Sequence, residues 1–339
     1  MPLERHEAAE RRKNNYIGTG DRDMSIKEIK DQFELEKNQK IYDSAVLTFH
    51  GTESFDVYNC SLPFTWDGKE YIYGRVEKRE EWARSWVRLF EKTGKDEYTL
   101  VKDHMIYQLE DPYISIVQGE IVLGGTHVRK RGGAVDTYYG YFYRGKELND
   151  LVYFTTGPDY MKDIRLVELA DGRIGVFSRP RNEEIEKKYG SASMIGFAVI
   201  SSLEELTNEV IESAEPILGI FDKGEWGGCN QVYLLADGTI GVIGHQCYTQ
   251  PVEGEKALAV YVNISFEFDP RTFEVRNRKI IGTRSCYPAG PAKVPNLIDC
   301  TFTSGILMRG DGKADLYAGI GDTMEGRITI EYPFGVPPK

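Results

Sequence analysis

One pattern recurs five times along this chain of 339 residues and constrains its fold more than any other feature. Each copy is a turn that ends in glycine, followed by a short strand-like run, as in ADGRIGVFSRP (170–180) and ADGTIGVIGHQ (236–246). Four of the five turns are Asp-Gly, and the tolerance of these residues for positive φ suits a two-residue hairpin. The turn glycines are Gly68, Gly119, Gly172, Gly238 and Gly312.

The spacing of these turns indicates the architecture. Their separations of 51, 53, 66 and 74 residues each hold about four strands with their loops. Five such units without alternating helices predict an all-β fold, a five-bladed β-propeller over residues 45–335. A β-sandwich is the main alternative, but a sandwich does not ordinarily extend over about 290 residues with one repeated unit.

Two segments outside the repeats are predicted to be helical. An N-terminal extension over residues 1–44 contains one amphipathic pattern, which predicts a helix packed on the propeller or at the contact of a homo-oligomer. Its apolar positions are Ile26, Ile29, Phe33 and Leu35. Ser202 and Glu205 match the capping-box pattern, which predicts a short external helix near 202–213.

The composition narrows the class of function. The chain has 42 basic and 53 acidic residues, a net charge of −11, which disfavours nucleic acid and anionic membrane as partners. The first residues, MPLERHEAAERRKNNYIG, lack the apolar core of a signal peptide, and no apolar run is long enough to span a bilayer. The five cysteines show no C-x-x-C spacing, so we expect reduced thiols in a cytoplasmic protein. The five scattered histidines predict no metal site.

Polar side chains, most of them cationic, recur where the repeated strands end. In chain order they are Arg75, His127, Arg129, Lys130, Arg131, Arg179, Arg181, His245, Gln246 and Asp322. The innermost strands of a propeller converge on one axial funnel, so these side chains are expected to meet at its mouth. Cations concentrated there in an acidic protein predict an anionic ligand, most simply phosphate.

The segment QLEDPYISIVQGEIVLGGTHV (108–128) contains the carboxylate with the most constrained context. Pro112 is expected to hold Asp111 in extended backbone geometry, which could serve only to begin a strand. Repulsion from the neighbouring Glu110 would instead raise one of the two pKa values towards that of a general acid. The residues alone leave both interpretations open.

Three segments resemble the five-bladed propellers of glycoside hydrolase family 130, the β-mannoside phosphorylases. They are LEDPYI (109–114), MKDIRLVELADGRIGVFSRP (161–180) and FTSGILMRGDGKADLYAGIGDT (302–323). Asn59 and Arg75 match the asparagine and arginine of that family's first blade. Tyr113 and Ser178 depart from it, since the family usually has Arg and His there. With these two departures the chain is more similar to glycosyltransferase family 108. Members of that family act on β-1,2-mannan both as phosphorylases and as mannosyltransferases.

The resemblance implies a reaction and a set of site residues. Asp111 would be the proton donor of an inverting, reversible reaction in which phosphate attacks a β-1,2-linked mannooligosaccharide and yields mannose 1-phosphate. Inorganic phosphate would be a co-substrate and no cofactor is expected, although GDP-mannose could act as a donor. The expected phosphate-binding residues are Arg129, Arg131, Lys162, Arg179 and His245, with Lys130 not separable from its neighbours. The expected sugar-binding residues are Asn59, Arg75, Asp163 and Asp322.

Plainer interpretations of these residues stay open at this point. Asp163 could merely pair with Lys162 or Arg165, Asp322 could be a turn residue, and His245 could be a core histidine. Trp82 and Trp86 could stack on a sugar or pack within a blade.

Two other functions are alternatives. One is an inverting hydrolase, which needs a carboxylate base, with Asp56, Glu225 or Asp299 as candidates. The other is a propeller that binds carbohydrate without catalysis.

Overall fold

Five β-sheets make up the fold of this protein in a computed structural model, which describes residues 24–339. The sheets confirm the predicted all-β class and the five-bladed β-propeller. Residues 1–23 of the predicted N-terminal extension lie outside the described residues. Among the helices within residues 24–339, none has the length and apolar character needed to cross a membrane.

The strands follow one another blade by blade along the chain. The first strand is β1 (Ile41–Val46), which belongs to the last blade. Blade 1 contains β2 (Thr48–His50), β3 (Asp56–Tyr58), β4 (Phe64–Trp66), β5 (Lys69–Glu77), β6 (Trp86–Gly94) and β7 (Glu97–Leu100). Blade 2 contains β8 (Glu110–Val117), β9 (Glu120–Arg131), β10 (Ala134–Gly145) and β11 (Val152–Thr156). Blade 3 contains β12 (Arg165–Glu168), β13 (Ile174–Ser178), β14 (Gly196–Ile200) and β15 (Glu215–Pro216).

The last two blades follow the same order. Blade 4 contains β16 (Trp226–Leu234), β17 (Ile240–Gln250), β18 (Leu258–Asp269) and β19 (Glu274–Gly282). Blade 5 contains β20 (Thr301–Met308), β21 (Lys313–Ile320) and β22 (Met324–Glu331), with β1 at its edge. The inner strands β8, β12, β16 and β20 contact one another in this order. They therefore surround a common axis.

Pairing of β1 with β22 closes the ring. The two strands are antiparallel, with Ser44 opposite Ile328 and Val46 opposite Gly326. The beginning of the described chain thus completes the final blade, which removes an open sheet edge. This strand crosses the predicted boundary between residues 44 and 45, and the division into two domains stays a prediction.

The repeated turns are hairpins of two kinds. At the turns after β4 and β8 both turn residues have positive φ, for example Asp67 at 48° and Gly68 at 75°. At Gly172, Gly238 and Gly312 the glycine alone has positive φ, and each hairpin is one residue longer. The predicted two-residue connection is therefore wrong at three turns, because an Asp in ordinary backbone geometry followed by a left-handed Gly makes the three-residue hairpin.

The predicted N-terminal helix is present as α1 (Ile26–Lys40). A capping box formed by Ser25 and Glu28 begins it. Ile26 and Phe33 are buried in the hydrophobic cluster that includes the core of blade 4. Leu35, however, is 86% exposed, because a residue two positions after Phe33 lies on a different face of a helix.

The predicted external helix near 202–213 is a 3₁₀ turn, Leu203–Glu205, followed by a short helix. The Ser202 side chain makes no capping hydrogen bond, so the predicted capping box is wrong, and the Glu205 carboxylate accepts from the Ser201 N–H instead. The sequence did not predict helix α2 (Glu183–Tyr189), which precedes α3 (Asn208–Glu212). Two more 3₁₀ turns, Arg284–Cys286 and Pro295–Leu297, lie in the connection between blades 4 and 5.

Candidate active site

A cavity of about 580 Å³ opens where strand ends from all five blades meet. Seven of the predicted site residues line it: Asn59, Arg75, Asp111, Lys162, Arg179, His245 and Asp322. Asp163 lies directly behind them, with its Oδ2 2.6 Å from Nη1 of Arg179. The fold thus brings together residues that are up to 263 positions apart in sequence.

Four of these residues share an uncommon backbone conformation. Their φ angles are 46° for Asn59, 48° for Asp111, 59° for Asp163 and 56° for Asp322. Asn and Asp tolerate this left-handed region better than other residues with a side chain, but each still costs about 1 kcal/mol or more. Such strain at one cavity indicates that the backbone is held in place to aim these side chains.

Asp111 is the clearest case. The predicted extended geometry is wrong, because the register of β8 shifts between Glu110 and Tyr113 and Asp111 takes a left-handed φ there. The following proline therefore does not set the backbone of Asp111 as expected. The bulge points the Asp111 side chain into the cavity, where it is 3% exposed.

The Asp111 carboxylate is held by three cationic or amide groups. Its Oδ1 accepts hydrogen bonds from Asn59 Nδ2 and Arg75 Nη1, both at 2.9 Å. Its Oδ2 lies 3.6 Å from Lys162 Nζ. Burial alone would raise the pKa of Asp111, but Arg75 and Lys162 outweigh it and lower the pKa. Asp111 is therefore held as a carboxylate by its cationic neighbours.

The pKa values of two neighbouring carboxyl groups are raised instead. Burial and the Asp111 charge raise the pKa of Glu110, although Arg75 works against them. Burial and Asp111 also raise the pKa of Asp322. The predicted repulsion between adjacent carboxylates is thus present, but it acts on Glu110 rather than on Asp111, because Arg75 and Lys162 favour the charge of Asp111.

Arg75 connects these carboxylates to a buried network. Its guanidinium donates to Glu110 at 3.0 Å and to Glu77 at 2.7 Å, in addition to Asp111. Glu77 also accepts from Lys293 Nζ at 2.5 Å. The sequence did not single out Glu77 or Lys293, because no turn or strand-end pattern marks them.

The other side of the cavity is cationic. Lys162 and Arg179 line it, and Arg179 Nε donates to Ser193 at 3.2 Å. Burial would raise the pKa of Asp163, but Arg179 and Lys162 lower it to about 2. Asp163 therefore pairs chiefly with Arg179 and not with Lys162 or Arg165 as the ion-pair alternative expected, since Arg165 Nη2 is 4.0 Å away. From behind, it supports the cationic wall.

His245 completes this wall as a neutral side chain. Burial and the positive charge of Arg179 lower its pKa to about 3. Nδ1 is 2.7 Å from Asn230 Oδ1 and so carries the ring proton, whereas Nε2 has no hydrogen-bond partner among the described residues. Gly228 is adjacent, and a Cβ there would lie 3.0 Å from Asp163 Oδ2 and 3.1 Å from His245 Cε1. The buried, unpartnered Nε2 atom can accept a directional hydrogen bond from an O–H group of a ligand.

Arg129 and Arg131 do not belong to the cavity. Both side chains are exposed and pair with Asp136, at 2.9 Å and 3.4 Å. Thr126 and Val128 of the same strand line the cavity, whereas the strand has left it by residue 129. Their prediction as cavity anion ligands is therefore wrong in position, because strand-end spacing does not show where a long strand leaves the funnel.

The three candidate bases for a hydrolase also lie outside the cavity lining. Asp56 pairs with Arg79, and Asp299 pairs with Lys30. Glu225 is buried and accepts hydrogen bonds from the Ile26 N–H and from Gln246 Nε2. All three have structural partners instead of facing the site.

Several lining residues were not predicted as site residues. They are Glu110, Tyr138, Arg181, Ser193, Trp226, Tyr261, Leu297, Cys300 and Phe302. Arg181 was expected at the funnel mouth from its strand-end position but was not assigned to phosphate or sugar. Ser193 and Leu297 lie in loops whose sequence gives no such signal. Trp82 lines the cavity with 53% exposure, which fits a contact with a ligand better than blade packing. Within residues 24–339, no group of side chains is arranged to hold a metal ion.

Comparison with known proteins identifies the family. A family model described as a protein of unknown function, DUF1861, matches residues 33–336. The chain belongs to this family. No curated protein sequence matches the DUF1861 chain.

Solved structures give this DUF1861 protein more specific relatives. A mannose phosphorylase from Leishmania mexicana, in complex with phosphate ion, is 53% identical, with a TM-score of 0.85 over 91% of this chain and 93% of that chain. A GDP-Man-dependent mannosyltransferase from Leishmania mexicana is 49% identical, with a TM-score of 0.83 over 91% and 94%. A β-1,2-mannobiose phosphorylase from Listeria innocua shares the fold, with 15% identity and a TM-score of 0.59 over 82% and 91%.

These relatives confirm the resemblance that the sequence predicted. The DUF1861 protein is a carbohydrate-active enzyme of the glycoside phosphorylase or glycosyltransferase type.

Proposed function

We propose that this protein is an inverting phosphorylase of β-1,2-linked mannooligosaccharides, with Asp111 as the proton donor. Phosphate would occupy the cationic side of the cavity at Lys162, Arg179 and His245. The sugar at the cleaved bond would be held by Asn59, Arg75 and Asp322, with Asp163 supporting Arg179. Phosphate acts as a co-substrate and no cofactor takes part.

The observation that carries this proposal is the division of the cavity into two sides. Asp111, Glu110 and Asp322 are joined through shared partners, since Arg75 binds the first two and Asn59 donates to Asp111 and Asp322. Lys162 and Arg179 form the other side.

A glycosidase with a retaining mechanism needs a second carboxylate as nucleophile, and an inverting hydrolase needs a carboxylate base for water. A phosphorylase needs neither, because phosphate is itself an anionic nucleophile.

The charges suggest how Asp111 gains its proton. A phosphate anion beside Lys162 and Arg179 would add negative charge and offset the cations that lower the pKa of Asp111. The pKa of Asp111 would rise, which favours the protonated form that a general acid requires. Binding of phosphate would thus favour protonation of Asp111.

In the proposed reaction a phosphate oxygen forms a bond to the anomeric carbon while the glycosidic C–O bond breaks. The Asp111 proton passes to the leaving oxygen, directly or through a sugar hydroxyl. The products are mannose 1-phosphate and an oligosaccharide shorter by one unit. The same steps in reverse would extend a chain from mannose 1-phosphate.

Mannosyl transfer from GDP-mannose is a second candidate function. It is supported by the 49% identity to a GDP-Man-dependent mannosyltransferase, which is close to the identity with the phosphorylase. The diphosphate of the donor would occupy the same cationic side. We propose that the enzyme is cytoplasmic, whichever reaction it catalyses. A homo-oligomer is compatible with either reaction.

The test is incubation of the protein with β-1,2-mannooligosaccharides, with and without phosphate, and with GDP-mannose in a parallel reaction. The proposal predicts mannose 1-phosphate that forms only when phosphate is present. Equal release of free mannose without phosphate would support a hydrolase. Binding of the sugars without any turnover would support a carbohydrate-binding propeller, and chain extension only from GDP-mannose would support the transferase.

A further inference from the structure

The active-site cavity continues outward between blades 1 and 2. A second hollow of about 550 Å³ shares Ala83 and Val128 with the cavity. A third hollow of about 320 Å³ shares Trp86 with the second. The three hollows therefore lie side by side, each bordering the next at these residues. We call the second and third hollows, lined among others by Trp86, Ile106, Gln108 and His127, the outer groove.

The outer groove is built from the same strands and connections that hold the site. Glu110 and Asp111 line the cavity, and Gln108, just before them, lines the groove. On β9, Thr126 lines the cavity and Lys130 lines the groove. A chain that leaves the cavity in this direction would therefore follow the groove.

The groove offers the contacts that suit sugar rings. Trp86 is 38% exposed and packs edge-on against Phe55, with ring centroids 6.1 Å apart. Ile106 is 52% exposed on the same wall. Gln108 and His127 add hydrogen-bonding groups beside this apolar surface. A partly exposed tryptophan with polar neighbours suits a ligand whose rings have apolar faces and hydroxyl edges.

Two of the four cationic side chains that line the groove are already engaged. Arg129 is paired with Asp136 at 2.9 Å, and Lys130 Nζ donates to the Trp82 carbonyl at 2.8 Å. The other two are Arg84, which lies 4.0 Å from Glu81, and Arg88. Because these cations are spread along the groove and do not converge on one point as Lys162 and Arg179 do in the cavity, they are better suited to donate hydrogen bonds to separate hydroxyls than to bind one phosphate.

We infer that the outer groove binds the distal units of a mannooligosaccharide whose reacting end lies in the cavity. The inference rests on the proposed function and specifies its substrate, a chain longer than the disaccharide. Trp86 is the residue that sets this preference for length, through contact with a sugar unit remote from the cleaved bond.

The test compares phosphorolysis of β-1,2-mannooligosaccharides of two to six units. In the wild type, kcat/KM is expected to rise with chain length. Trp86→Ala should lower kcat/KM for the longest chains by about tenfold, through KM, and leave the disaccharide unchanged. Trp86→Phe should keep most of the preference. The matched control is Tyr42→Ala, an exposed aromatic residue on β1 of blade 5.

Binding measured by calorimetry with the same oligosaccharides separates this inference from the proposed reaction. Affinity that rises with length in the wild type but not in Trp86→Ala supports the groove, even if no mannose 1-phosphate forms and the proposed reaction fails. Affinity that is independent of length, or an equal loss for the disaccharide and the longest chain, overturns the inference and leaves the proposed reaction standing.

Discussion

At the scale of single residues, Asp111 and Asp322 are the same residue type in different surroundings. Both are aspartates in left-handed backbone that accept from Asn59, Asp111 as a buried residue and Asp322 as a partly buried one. Arg75 and Lys162 lower the pKa of Asp111, whereas burial and the Asp111 charge raise that of Asp322. Only Asp111 lies between the carboxylate side and Lys162, where a proton donor would meet a bound anion.

Substitution of these two aspartates distinguishes their roles. Asp111→Asn should lower kcat by about 100-fold to 10,000-fold, because an amide cannot supply the proton. The fold and the affinity for sugar should be nearly unchanged, since an amide of the same shape can keep part of the hydrogen bonding. Asp322→Asn should mainly raise KM for the sugar. Initial rates and calorimetry measure both effects, and a near-normal kcat in Asp111→Asn would remove it as the acid.

Arg179 lines the cavity and Arg129 lies outside it, and this difference gives a second prediction. Arg179→Gln should raise KM for phosphate by about tenfold to a hundredfold, because a charge-assisted contact with the anion is lost. Arg129→Gln should leave KM for phosphate unchanged, since Arg129 lies outside the cavity. Phosphate saturation curves for both variants, with thermal melts to check folding, give the answer. The reverse ranking would place the anion at β9 instead.

Sequence reasoning found the central polar residues of the site but neither the rest of the cavity lining nor its outer limit. Arg179 and Asp322 could be predicted from their positions at strand ends, and Asp111 was marked by its Glu-Asp-Pro context. Lys162 came from the family resemblance alone. The misplacement of Arg129 arose because the length of β9 beyond the cavity depends on its pairing with β10, which spacing does not reveal. The left-handed φ of Asp111 depends on a local shift of strand register, which also leaves no sequence signal.

At the scale of elements, the connection between blades 4 and 5 links the propeller ring to the site. Leu297 and Cys300 of this connection line the cavity, and Lys293 is paired with Glu77 at the end of β5. The Lys293 side chain is 3% exposed and that of Glu77 is fully buried. The pair fixes a long loop against the strand that carries Arg75.

Breaking this pair tests the role of the connection. Lys293→Met should lower the free energy of unfolding by about 3 kcal/mol, because Glu77 stays buried and loses one of its two cations. It should also lower activity, since Arg75 and the cavity wall lose their support. Denaturant unfolding measures the stability, and Lys256→Met, an exposed lysine, is the control. Equal stability of the two variants would contradict a structural role for the pair.

Elements were predictable where a local pattern determines them. The Asp-Gly turns marked the hairpins and thereby the blades, and helical periodicity marked α1. Helix α2 was missed because it buries no residue and so has no apolar pattern. The capping-box pattern at Ser202 failed because a 3₁₀ turn forms there and its side chain is not needed as a cap.

At the scale of the whole molecule, ring closure is what creates the site. All five blades contribute side chains to the cavity, and none of them forms the site with its sequence neighbours alone. Pairing of β1 with β22 closes the ring and brings Asp322 of blade 5 beside Asn59 of blade 1. The number of blades could be predicted from the turn spacing, whereas the distances across the axis depend on how all five sheets pack.

The central claim is that phosphate, held opposite Asp111, attacks the anomeric carbon directly. The most direct measurement is ³¹P and ¹H NMR of the sugar phosphate formed from a β-mannooligosaccharide and inorganic phosphate. A single displacement inverts the reacting carbon, so the account predicts α-mannose 1-phosphate as the first product. The β anomer, or free mannose without any sugar phosphate, would contradict it.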